Sequence, residues 1–121
     1  VGDPQVDGVR MGALVGLDQR EDVRAQVAQL REEAELVYGS PDSVNTNGAD
    51  SEKGAFISPM LLRVDNPSDA VKVHEVEAFG PVSSIMPYDS IEQAVELSKK
   101  GKGSLCCSIT THDKKAASEF V

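Results

Sequence analysis

The stretch PVSSIMPYDSIEQAVELSKKGKGSLCCSIT, residues 81–110, decides what kind of fold the chain has. PVSSIMPY carries the apolar and β-branched bias of a strand. Ser90 with Gln93 three residues later forms a helix-capping pair, and Ile91, Ala94, Val95 and Leu97 recur at helical spacing until Gly101 supplies a stop. SLCCSIT then reads as a second strand, apolar enough to lie inside a sheet covered on both faces. Strand, helix and strand joined by short connections predict a parallel βαβ unit with a right-handed crossover, and so an α/β fold. Asp113 caps a terminal helix, DKKAASEFV, with an apolar stripe of Ala116, Ala117, Phe120 and Val121.

Working upstream, residues 1–17 hold four glycines and a proline with no sustained period, which predicts an extended, turn-rich opening segment. Asp18 and Glu21 then make an N-terminal signal, and Val23, Val27, Leu30, Ala34 and Val37 repeat at helical spacing as far as Gly39. That pattern predicts one amphipathic helix over residues 19–38. Residues 40–54 are turn chemistry throughout. AFISPMLLRV, residues 55–64, reads as a strand that Pro59 consigns to a sheet edge or a bulge. NPSDA then breaks the chain.

Bulk properties narrow the function. A chain of 121 residues, 40% hydrophobic, holds one domain with a core and is too short for two. The net charge of -8 and the lack of a basic run interleaved with aromatics argue against a nucleic-acid surface. No apolar run is long enough to span a bilayer and no signal-peptide pattern opens the chain, so a soluble, cytoplasmic protein without a membrane partner is expected. The chain starts at Val1 without an initiator methionine and stops within a helical pattern, which predicts a piece of a longer polypeptide.

Several residues invite chemistry that their context does not support. Cys106 and Cys107 match neither zinc nor redox spacing, and their place in the middle of an apolar strand predicts small core residues in a reducing compartment. KKGKGSL lacks the phosphate-loop spacing and follows a helix rather than a strand. His74 and His112 stand apart without a partner at ligand spacing, so no metal site is expected.

VEAFGPV, residues 76–82, is different. Phe79 offers a flat apolar surface, Gly80 permits close backbone approach, and Pro81 fixes its own φ and biases its neighbour toward extended geometry. Glu77, entering the strand beside them, is placed to accept a hydrogen bond from a ligand hydroxyl. An ion pair or a merely exposed acid is the competing reading.

VEAFGPV resembles the E-[IA]-F-G-P-V signature of the aldehyde dehydrogenase superfamily, and VGDP, MGALV followed by Gln19, GAFISPMLL and the 81–110 region agree with that family in order and spacing. VGDPQVDGVRMGALV, QREDV and VHEVEAFGPV are similar to aldehyde dehydrogenase domains of the bifunctional ring-opening proteins of phenylacetic acid degradation. The resemblance implies part of a parallel-sheet catalytic domain, from an oligomeric parent enzyme that oxidises an aldehyde with NADP or NAD. In that subfamily the aldehyde is a CoA-linked semialdehyde. A cysteine thiolate attacks it, the hemithioacetal passes hydride to the nicotinamide, and a glutamate-activated water releases the acid.

By the same resemblance Glu77 meets the ribose next to the nicotinamide, Phe79 packs against that region, and Gln19 lies near the cofactor. Asp22 stands where many relatives carry lysine. The family's nucleophilic cysteine, in a G-Q-x-C context, has no counterpart in these residues, and neither has its general-base glutamate or its nucleotide-binding domain. No residue is therefore assigned to catalysis, and the chain alone is expected to be inactive. The alternative is a non-catalytic α/β binding or assembly module on the same scaffold.

Overall fold

A computed structural model describes residues 1–102 and 105–119. The element order is α1 (Leu17–Leu30), β1 (Glu35–Tyr38), β2 (Met60–Arg63), α2 (Lys72–Glu75), β3 (Val82–Ile85), α3 (Ile91–Lys100) and α4 (Lys114–Glu119). The three strands form one mixed sheet in the order β1-β2-β3. β1 runs antiparallel to β2, with Leu36 opposite Leu62. β2 runs parallel to β3, with Met60 opposite Val82 and Arg63 opposite Ile85. The fold is α/β, and its parallel pair is β2–β3, joined through α2, rather than the pair expected around α3.

Four expectations need correction. The helix predicted over residues 19–38 ends at Leu30, and Glu35–Tyr38 is a strand. The backbone N–H groups of Glu32 and Glu33 reach back only three residues, to Gln29 and Leu30, so the last turn tightens and stops. Val37, expected on the buried stripe, is 45% exposed. Gly39 is a strand-end residue at φ +85, where an added Cβ would fall on the Pro59 carbonyl.

Second, β2 is central rather than an edge: Pro59 precedes its first residue, where the missing N–H costs no ladder bond. Third, residues 105–110 form no strand and lie exposed, with both Cys106 and Cys107 at the surface. An apolar strand there needs a sheet neighbour and cover on both faces, whereas burial alternates along β2, so the described sheet has one covered face. Fourth, α1 starts without a side-chain cap: Gly16 is its N-cap and Asp18 sits inside the first turn. Ser104, Phe120 and Val121, which belong to the expected second strand and terminal stripe, lie outside the described residues.

The caps of the later helices form as the sequence predicts. Ser90 Oγ accepts from the Gln93 backbone N–H, and Asp113 Oδ1 accepts from those of Lys115 and Ala116. Glu92, in the first turn of α3, has its carboxyl held below the usual range by its own backbone N–H and then by the Ser90 hydroxyl.

α1 covers the sheet. Val23 and Val27 pack with Ile57 and Met60, while Leu30 and Ala34 pack with Leu62, Val64 and Ala70. Val82, at the head of β3, packs against both groups. The segment before β3 is thereby seated on the core. α2 is secured by a contact the sequence pattern does not reveal, in which Glu33 Oε2 accepts from the backbone N–H groups of Val71 and Lys72 at 3.0 and 2.7 Å.

Candidate functional site

Residues 76–81 connect α2 to β3 and form a tight lip. The Gly80 N–H donates to the Ala78 carbonyl at 2.7 Å, and the Val82 N–H donates to the Gly80 carbonyl at 2.8 Å. The Met60 N–H donates to the Pro81 carbonyl at 2.8 Å and ties the end of the lip to β2. Gly80 is pressed against the core, since a Cβ built on it would stand 2.7 Å from Val23 Cγ2 and 3.1 Å from Cγ1. Close approach, rather than an unusual φ, is what this position needs. Gly80→Ala is expected to cost about 1–3 kcal/mol, because the branched side chain of Val23 is fully buried and has nowhere to retreat. Denaturant unfolding checks this, and a change below about 0.5 kcal/mol, the range of an ordinary surface substitution, would contradict it.

Of the three residues expected at a cofactor, the structure brings two into contact. Gln19, on the first turns of α1, donates from Nε2 to the Phe79 carbonyl at 2.7 Å and accepts at Oε1 from the Val15 N–H at 3.1 Å. Phe79 is 66% exposed. Glu77, two residues earlier on the same lip, is exposed as well. Asp22 is exposed one turn beyond Gln19.

Beside the lip lies an open groove of about 770 Å³ whose lining includes Val73, His74, Glu77, Met86, Leu97 and Lys102. Lys102 pairs with Glu75 at 3.7 Å across its rim. His74 Nε2 lies 3.3 Å from the Pro67 carbonyl, a local contact within the 66–75 turn and helix. His112 is exposed. Among the described residues no group of three or more His, Cys, Asp or Glu is placed to hold a metal ion.

The chemistry on offer is recognition. An exposed carboxylate accepts hydrogen bonds from hydroxyls, an exposed ring packs on a planar or sugar surface, and the lip between them is fixed at Phe79 and Pro81. The Gln19 to Phe79 bond joins residues 60 apart in sequence. Their motifs were each legible, but their contact was not.

Residues 1–121 match the Aldehyde dehydrogenase family profile. The 3,4-dehydroadipyl-CoA semialdehyde dehydrogenase of Aromatoleum evansii is 38% identical over 121 residues, which is 100% of this chain and 24% of that protein. The crystal structure of HpcC from Thermus thermophilus superposes with a TM-score of 0.77 at 26% identity, over 91% of this chain and 21% of that one. Succinic semialdehyde dehydrogenase from Streptococcus pyogenes, solved in complex with NADP+ as the cofactor, gives a TM-score of 0.60 at 28% identity over 79% of this chain and 19% of its own. The chain thus spans about a quarter of the length of the first curated relative, 24%. From first residue to last, it belongs to the aldehyde dehydrogenase family and is a piece of that family's catalytic domain.

Proposed function

We propose that these residues supply the cofactor-facing lip of an NAD(P)-dependent dehydrogenase that oxidises an aldehyde to the acid, with a CoA-linked semialdehyde as the substrate class. The observation that carries the reading is the lip itself, where an exposed Glu77 and a 66% exposed Phe79 stand on a segment pinned by Gln19 and Met60. A ribose and a nicotinamide ring fit that pair: the carboxylate accepts from sugar hydroxyls and the aromatic face covers the adjoining surface. When bound, the nicotinamide supplies the hydride acceptor. Gln19 serves the same site from α1. The semialdehyde class is supported by the 38% identical relative whose name carries it.

The chain's own cysteines do not supply a nucleophile. The ground is sequence context alone: Cys106 and Cys107 are exposed, but no G-Q-x-C context occurs in the sequence. The 121 residues alone are therefore expected to show no aldehyde oxidation above buffer with NAD or NADP. The complete dehydrogenase carrying them should reduce the cofactor with a CoA-linked semialdehyde. Absorbance of the reduced nicotinamide follows both. Cysteine-dependent turnover by the 121-residue chain would refute the first statement, and a complete protein inert toward every aldehyde tried would refute the second.

A further inference from the structure

We infer that Glu33 is a positioning residue for Glu77: reaching across from the turn after α1, its carboxylate caps α2 and so fixes the backbone from which the lip begins. The inference rests on the reading that the cofactor sits against Glu77 and Phe79. α2 is a single turn of four residues, too short to hold its shape through its own hydrogen bonds, and its N-cap residue, Val71, supplies no side-chain acceptor. Glu33 supplies one from 38 residues away. Its Oε2 accepts from the backbone N–H groups of Val71 at 3.0 Å, Lys72 at 2.7 Å and Val73 at 3.4 Å, donors that a helix start leaves without intrahelical partners. Glu33 does not hang on a free chain. Its neighbours Leu30 and Ala34 are buried and pack with Val64 and Ala70, so the carboxylate is delivered from the core. At the other end of α2 the Val76 N–H gives to the Lys72 carbonyl at 2.8 Å, and Glu77 follows directly. The lip is thus fixed from both sides, by Glu33 through α2 upstream and by Met60 at Pro81 downstream.

Substitutions at this turn grade the effect. Glu33→Gln keeps one acceptor oxygen and loses the charge, whereas Glu33→Ala leaves the three N–H groups without the acceptor. Lys72→Ala is the control: it breaks only the side-chain pair that Lys72 Nζ makes with Glu32 and leaves the Lys72 N–H in place. The test uses the complete dehydrogenase in these three variants and in Glu77→Ala. Affinity for reduced cofactor is read by nicotinamide fluorescence well below the unfolding midpoint of each protein, and amide hydrogen exchange is followed at residues 71–76 without cofactor.

In Glu33→Ala, exchange at Val71 and Lys72 is expected to quicken about 10-fold or more, and cofactor to bind about 3- to 10-fold more weakly. Glu33→Gln should fall between alanine and the parent in both readings, and Lys72→Ala should match the parent. A contact that stabilises the fold with no part in binding would quicken exchange and leave affinity unchanged. That result, with Glu77→Ala weakened, overturns the inference and leaves the cofactor lip standing. Parent-like exchange at Val71 and Lys72 in Glu33→Ala also overturns it, because α2 would then be held without the carboxylate. Unchanged affinity in Glu77→Ala overturns the cofactor lip and the role of Glu33 in binding with it.

Discussion

Leu62→Ala is expected to lower the unfolding free energy of the chain by about 2–5 kcal/mol. Leu62 is 0% exposed at the centre of β2, between β1 and β3, and packs with Leu30, Ala34, Val64 and Ala70. Truncation removes buried methyl groups and leaves a cavity. Collapse is limited because the backbone on either side is held in ladders, with Leu36 opposite Leu62 on one side and Ser84 on the other. Arg63, the next residue along, is exposed and pairs with Asp65 at 2.8 Å in solvent. Arg63→Ala should therefore stay within about 1 kcal/mol of the parent. Equilibrium urea unfolding of the two variants reads the difference, and comparable losses would mean that β2 does not alternate between a covered and an open face.

Local signals were the legible part of this fold. Ser90 and Asp113 cap helices because a cap needs only three or four consecutive residues, all of them visible in the sequence. α1 was legible through Val23, Val27 and Leu30, which are buried as their spacing requires. Its end was not, because Ala34 and Val37 continue the helical spacing while ELVY also suits a strand, and pairing with β2 decided the contest. Residues 105–110 failed in the opposite direction. Their apolar character was legible, but burial depends on elements that cover them, and the described sheet offers cover on one face.

The candidate site divides along the same line. Glu77, Phe79 and Gly80 stand out as residue types in sequence, and the resemblance to the family implies a cofactor beside Glu77 and Phe79. Their support depends on distant partners, Gln19 on α1 for Phe79 and Val23 for Gly80, which no spacing in the sequence connects. Long-range contacts of this kind are set by how α1 lies over β2. The core that buries Leu62 is thus also what holds the lip in place.

Glu77→Ala should separate binding from folding more sharply than any other change in the chain. Glu77 is exposed on the lip, so its removal exposes no core and breaks no strand pairing, and the unfolding free energy should move by no more than about 0.5 kcal/mol. If Glu77 meets the cofactor ribose as proposed, the same change in the complete protein is expected to delete a charge-assisted hydrogen bond to a ribose hydroxyl, about 1.5–3 kcal/mol, equivalent to roughly 10- to 150-fold in cofactor affinity. Glu77→Gln keeps an acceptor oxygen but loses the charge, and should fall between the parent and alanine. The ordering matters more than the size. If glutamine and alanine weaken the cofactor equally, the charge rather than the acceptor is what the site uses. If neither weakens it, the carboxylate is an ordinary surface acid and the cofactor reading of the lip is overturned. A fluorescence titration of reduced cofactor against the three proteins, each first shown to unfold at the same denaturant midpoint, decides among these outcomes.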